Sequence, residues 1–349
     1  MKPVDFIIIG QGLAGTSLAI RLLDAGKSVL VIDEAKEQTA SLVSSGIINP
    51  ITGRRYVKSW MFDQLLSEAL HFYRLMERRW GIEVIKPKRV LRALSNVLEE
   101  NLWSGQSGKQ DYKDFFGKII KDKVYTQAFN NKVVFGEVRN SYQVDIPGLI
   151  LNARKELINR GVFIQERVLE SDIHIEDIIS IKKYKTKHII FAEGWKVINN
   201  PFFKKLPFDP TKGEVIIADL ENYNLEDIIK NQKFIMPYSK GGYWIGSTNE
   251  NGVANNLPNA KKRNELRDFI TACVKGNYKI MQEWTAVRPS TKQRRPILGA
   301  HPSLKNIFLF NGLGTKGASL APYFSKMLVK HILKGDQILN AVDIKRHPF

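Results

Sequence analysis

The chain has 349 residues, 43% hydrophobic and 25% charged, with a formal net charge of +18. This length exceeds one ordinary domain, and the composition can build a sizeable core, which excludes a disordered chain. One cysteine, Cys273, excludes an internal disulfide and an all-cysteine zinc site, and the six histidines do not cluster at metal-ligand spacing, so no metal is expected.

At the N-terminus Lys2 precedes an apolar run, but Asp5 interrupts it and glycines follow where a cleavage region would lie, so a secretion signal is not expected. Val4–Ile9 reads as a buried parallel strand. It runs into Gly10-Gln11-Gly12-Leu13-Ala14-Gly15, a complete GxGxxG. A helix follows with Leu18, Leu22 and Ala25 on one face, Gly26 ends it, and Ser28–Ile32 forms a second strand leading to Asp33 and Glu34. Gly10 permits a tight turn, Gly12 lets the backbone approach a pyrophosphate, and Gly15 lets helix and strand pack closely. The amides at Leu13 and Ala14 open a helix N-terminus, which favours phosphate. An acid at the end of the second strand accepts from a ribose diol. Asp33 is the first choice and Glu34 the second. Strand, glycines, helix, stop and acid in this order indicate dinucleotide binding, with NADP disfavoured and FAD and NAD both open.

Ser44-Ser45-Gly46-Ile47-Ile48-Asn49-Pro50 is a small-residue turn that can approach a flat ring, and a helix with Leu65, Ala69, Phe72 and Met76 on one face follows. Val138–Asp145 precedes Pro147 and a helix carrying Leu149, Ala153 and Leu157. Then come Gly161–Ile164, Val168-Leu169, and a strand His188–Ala192 ending in Ala192-Glu193-Gly194. Val287-Arg288-Pro289-Ser290-Thr291 leads to Arg295-Pro296-Ile297-Leu298-Gly299. Ile307–Phe310 reads as a strand before Asn311-Gly312-Leu313-Gly314-Thr315-Lys316-Gly317 and a last helix with Ala321, Phe324, Leu328 and Ile332 on one face. No stretch reaches the roughly 18 apolar residues of a membrane span, so a cytoplasmic protein without a membrane span is expected.

This succession resembles the D-amino-acid oxidase superfamily, which includes glycine oxidase and sarcosine oxidase. The resemblance implies an α/β fold: a Rossmann-type, glutathione-reductase-like FAD-binding domain with a second, sheet-rich α+β substrate domain. The expected FAD-binding domain is discontinuous, residues 1–80, 136–212 and 285–349, and the substrate domain comprises 81–135 and 213–284. It also implies that Ser44, Ser45, Gly46, Ile47 and Ile48 line the flavin and ribityl region and that Val168 meets adenine through its backbone. Ala192 and Gly194 then lie beside the pyrophosphate. Gly312, Leu313, Gly314, Thr315, Lys316 and Gly317 present amides to the flavin pyrimidine. FAD should be non-covalent, since no cysteine stands where a tether would form.

On the substrate side, the resemblance places Arg288 above the flavin, where a planar guanidinium can hold a carboxylate bidentately. Lys316 and Asn49 join it as candidate catalytic residues. Departures from the family are Gln293-Arg294, where many members have Asp-Gly, and Thr315-Lys316, where glycine oxidase carries a second arginine. Lys316 can reach substrate carboxylate or flavin, or point to solvent. The implied reaction is oxidation of the C–N bond of an amino acid or secondary amine by hydride transfer to flavin N5. A narrower likeness of Gly312–Gly317 and Ala321-Pro322 is to the FAD domain of the bifunctional enzyme that modifies the tRNA wobble uridine. That leaves a second reading with a modified tRNA base as substrate, and a third as a flavin-binding module without turnover. Basic clusters at Lys86–Arg89, Lys182–Lys187, Lys261–Arg263 and Arg294–Arg295 fit a tRNA partner, but their spread fits a lysine-rich composition better.

Overall fold

A computed structural model describes residues 3–121, 125, 128–130, 134–221 and 223–349. The first β-α-β unit forms as its pattern requires: strand Val4–Ile9, helix Leu13–Asp24 and strand Val29–Asp33. Val4–Ile9 is the middle of a parallel set, pairing Val29–Asp33 on one side and Tyr184–Phe191 on the other. Phe163–Gln165 extends the set beyond Val29–Asp33, and Ile307–Asn311 extends it beyond Tyr184–Phe191. Near-continuous apolar strands are what a sheet covered on both faces demands. One face packs Phe6, Ile8, Val29 and Val31 under helices Leu13–Asp24, Phe62–Trp80, Ile146–Asn159 and Gly317–Lys334. The other packs Ile7, Ile9, Ile189 and Phe191 against Val197, Phe203 and Leu206.

The expected helix after Asp145 is Ile146–Asn159, with the Asp145 carboxylate capping Gly148 N–H at 3.1 Å and proline in the first turn. Both features end the preceding strand, Tyr142–Val144, and turn the chain back over the sheet.

A second, nine-stranded sheet collects Val90–Leu94, Phe116–Ile120, Val134–Val138, Thr211–Leu220, Ile228–Asn231, Lys233–Pro237, Tyr243–Gly246, Glu250–Asn251 and Tyr278–Arg288. Two of its strands, Val134–Val138 and Tyr278–Arg288, run through the expected boundaries at 136 and 285. Alternation sorts its side chains. Val90, Leu94, Val215, Ile228, Met236, Trp244 and Ala286 face the dinucleotide half and share its core. Leu91, Ala93, Ile216, Ile229, Ile235 and Ile245 face away and pack under helix Ala260–Cys273. Cys273 is buried there, at the end of that helix. Among the described residues no helix is long and apolar enough to cross a membrane.

Candidate active site

The glycine turn is closed by backbone contact. Gly10 has φ +99°, and a Cβ there would strike the Ala192 carbonyl. A Cβ on Gly15 would overlap the Gly10 carbonyl oxygen, so helix and turn approach this closely only because both residues are glycine. Gly12 is the helix N-cap and offers no side-chain cap; the Leu13 N–H next to it donates to Ser41 Oγ at 3.0 Å. Ala14 lies buried in the first turn of the same helix.

Asp33 and Glu34 separate clearly. The Asp33 carboxylate accepts from Gln11 N–H at 2.7 Å and Ala35 N–H at 2.6 Å, with an Arg154 guanidinium nitrogen 3.8 Å away. It therefore stands against the glycine turn. Glu34 pairs instead with Lys196 and with Lys36 at 2.9 Å, and these cations hold its carboxyl below the usual range against the opposing effect of burial.

Ala192 N–H donates to the Ile9 carbonyl at 2.8 Å, which lays Ala192 and Gly194 beside the end of the first strand. Asn311 Nδ2 donates to the Gly194 carbonyl at 2.8 Å and so ties this segment to the turn before the last helix. Val168 lies past Phe163–Gln165, half-buried against the apolar cluster on that side.

Ser44 and Ser45 precede Gly46, whose carbonyl accepts from Val144 N–H at 2.9 Å; Ile47 and Ile48 then pair with Tyr142–Val144. Asn49 follows, its side chain accepting from Ile51 N–H at 2.9 Å. The last glycine-rich turn comes to the same place. Gly312 and Gly314 both have positive φ, Leu313 and Thr315 continue the turn, and Gly317 begins the helix with its Cα close to Leu13.

Lys316 does not point to solvent. Its ammonium donates to Ser59 Oγ at 3.1 Å, and Ser59 Oγ donates to the Asn49 carbonyl at 3.1 Å. Burial, then Arg295 and Arg294, lowers the Lys316 ammonium below the usual lysine value. The two expected residues Lys316 and Asn49 are thus brought together through Ser59, which sequence reasoning missed. Ser59 carries no signal of its own, since a lone serine after a short strand looks like any turn residue.

Arg288 ends the strand Tyr278–Arg288, opposite Thr211. Its guanidinium donates to Ser247 Oγ, to Asn249 Oδ1 at 3.2 Å and to the Thr248 carbonyl at 3.5 Å. Gly213 makes room for it, as a Cβ there would strike the guanidinium nitrogens. Among the described residues no carboxylate pairs with Arg288, and burial pushes it down to about 10. Ser247, Asn249 and Gly213 are further residues that only the fold reveals.

Known proteins resemble this chain along most of its length. Glycine oxidase of Bacillus licheniformis is 25% identical over 95% of this chain and 94% of its own. The tRNA 5-methylaminomethyl-2-thiouridine biosynthesis bifunctional protein of Marinobacter nauticus is 22% identical over 96% of this chain, which spans 56% of that longer protein. The fold superimposes on the crystal structure of glycine oxidase from Geobacillus kaustophilus with a TM-score of 0.83, covering 100% of both chains at 17% identity. Residues 5–331 match the DAO family, described as FAD dependent oxidoreductase, and the chain therefore belongs to that family and is an FAD-dependent enzyme.

Proposed function

We propose that the enzyme oxidises the C–N bond of a small amino acid or secondary amine, giving an imine that water hydrolyses, with the substrate carboxylate held on Arg288. The observation that carries this reading is the Arg288 guanidinium, enclosed and fixed by Ser247 and Asn249 yet facing no protein carboxylate among the described residues. A buried cation in that condition is costly until an anion meets it, and a guanidinium so held can take a carboxylate through two parallel hydrogen bonds.

The residues fit FAD. The backbone amides of the glycine turn and the start of the first helix would take a pyrophosphate, and Asp33, beside that turn, would accept from a ribose diol. Residues 44–48 and 312–317 would hold the flavin end. When bound, FAD supplies the chemistry, accepting the hydride that leaves the carbon beside nitrogen. The protein positions and shelters the substrate. Arg288 fixes the carboxylate and hence the adjacent carbon. Lys316 and Ser59 brace the Asn49 carbonyl and keep the loop after Gly46 in one shape. Trp244, which donates to the Val43 carbonyl at 3.0 Å, ties the sheet to the segment leading into Gly46.

Anaerobic titration with glycine, sarcosine, proline and other small amines, followed by flavin absorbance, tests the reading. Bleaching by one of them supports it; bleaching by none, with a fully loaded enzyme, removes it. A second reading, oxidation of an aminomethyl-acetate group on a tRNA base, is favoured by the net charge of +18 and by the tRNA-modifying relative. Bleaching by tRNA alone would select it.

A further inference from the structure

Beside the loop after Gly46 lies a cavity of about 160 Å³ lined by Asn49, Tyr56, Arg92, Trp103, Lys230 and Phe234, among others. Its floor follows from strand register. Arg92 lies opposite Lys230 on adjacent parallel strands, and Lys230 lies opposite Phe234 on the next. Residues in one such row project to one face. The row therefore sets two cations side by side on the face toward the dinucleotide half, an arrangement that costs free energy by itself. On the other side of Arg92 the row continues to Gly136, where a Cβ would overlap the Trp103 ring, so the missing side chain lets Trp103 lie over the sheet.

Apart from Asn49 and Thr52, the polar side chains lining the cavity are the cations Arg92 and Lys230 and the donors Tyr56 and Trp103. The Tyr56 hydroxyl and Trp103 Nε1 are buried, each residue 1% exposed, and no acceptor receives either proton among the described residues. Tyr56 is also held in the left-handed region at φ +51°, a strained conformation for a bulky residue that its surroundings must enforce. Lys230 Nζ lies 4.3 Å from the centre of the Phe234 ring and donates to the Gln232 carbonyl; the Arg92 guanidinium lies 5.4 Å from the centre of the Tyr56 ring. These contacts offset part of the cost. No carboxylate among the described residues pairs with Arg92 or Lys230. Glu99, the acid facing Tyr56, accepts from Ser95 N–H at 2.8 Å, and Lys233, next along from Lys230, is taken by Glu265 at 2.6 Å.

We infer that this cavity is an anion subsite for the far end of the substrate: two cations and two unreceived donors around an aromatic wall take a second acidic group, a carboxylate or a phosphonate. The inference rests on the amine-oxidation reading and deepens it. The preferred amine carries an acidic group at each end, one on Arg288 and one on Arg92 and Lys230, while glycine fills only the first.

The test uses FAD-loaded enzyme and non-oxidisable probes. Linear dicarboxylates from malonate to adipate are compared with the matching monocarboxylates by calorimetry and by the shift in flavin absorbance, with 3-phosphonopropionate as the phosphonate arm. The best dicarboxylate or phosphonate should bind about tenfold or more tightly than its matched monoacid, a difference of ~1.4 kcal/mol. Lys230→Met and Arg92→Met should each bring that ratio close to one, and Tyr56→Phe should lower it in part. Lys230→Met should also raise the thermal midpoint, since it removes a buried cation, so the variant remains foldable and readable. Equal binding of diacid and monoacid by the wild type, or an unchanged ratio in both cation variants, overturns the inference. Failure of every amine to bleach the flavin would strike the oxidation reading and leave the calorimetric ratio to decide the subsite separately.

Discussion

On the helix-covered face of the nine-stranded sheet, Arg263 meets Glu214 and Glu283, each at 3.1 Å, and Arg267 also meets Glu283. Glu214 is fully buried there and also accepts from Asn259 N–H and Thr285 Oγ1. On the opposite face, Arg92, Lys230 and Arg288 hold the same kind of charge against hydroxyls, carbonyls and rings. Both faces hold cations, but among the described residues Arg263 and Arg267 meet carboxylates whereas Arg92, Lys230 and Arg288 meet none. Paired burial fixes a structure; unpaired burial stores a cost that a bound anion can relieve. The helix-covered face should therefore govern stability and the other face recognition.

That contrast can be broken in four ways. Arg288→Met should lower kcat/KM by about 10³-fold, roughly 4 kcal/mol of lost charge-paired binding, while FAD content and thermal midpoint stay near those of the wild type; a collapse in stability instead would make Arg288 structural. Glu214→Gln should act the other way, costing about 3 kcal/mol in urea unfolding because it removes the fully buried carboxylate from Arg263 and leaves it only Glu283, which Arg267 shares, with kcat per folded molecule maintained. Lys316→Met should cost about tenfold in kcat/KM, around 1.4 kcal/mol, because the Ser59 hydroxyl that holds the Asn49 carbonyl loses the ammonium that fixes it; unchanged kinetics would place Lys316 outside the site. The smallest effect concerns pH. Burial, followed by Arg92 and Lys233, lowers the Lys230 ammonium to about 8. Between that value and the usual 10.5 the unfolded chain holds a proton that the folded chain has released, so the wild type gains stability as pH rises through this window. Lys230→Met should be more stable than the wild type at pH 7, and its advantage should shrink towards pH 10 in parallel thermal melts.

The first β-α-β unit was legible because its determinants are local: two apolar strands, glycines at fixed spacing and an acid at the strand end. Spacing ranks Asp33 above Glu34 as the ribose acceptor, and in the structure it is Asp33 that accepts from the Gln11 amide. The second domain was legible as sheet-rich through the resemblance, but its strand order was not. Ile228–Asn231 pairs parallel with Val90–Leu94, far away in sequence, and no local pattern encodes that register. The Arg92–Lys230 row was therefore invisible in the sequence. So was the link from Lys316 through Ser59 to Asn49, which joins residues 257 positions apart. Arg288 was singled out through resemblance, but that no carboxylate among the described residues pairs with it could be read only from its packed neighbours.

The meeting of Gly317 with Leu13 carries a consequence for how the enzyme is made. An added Cβ at Gly317 would lie 3.3 Å from the Leu13 side chain, so the two helix starts proposed to hold the cofactor meet although they are far apart in sequence. A growing chain on the ribosome can form the first glycine turn early, but the opposing turn at Gly312–Gly317 is translated roughly 300 residues later. Cofactor capture would then report closure of that long loop, whose entropy cost grows only slowly with length. Nascent chains stalled before Asn311 should retain no FAD, whereas those stalled after release of the last helix should.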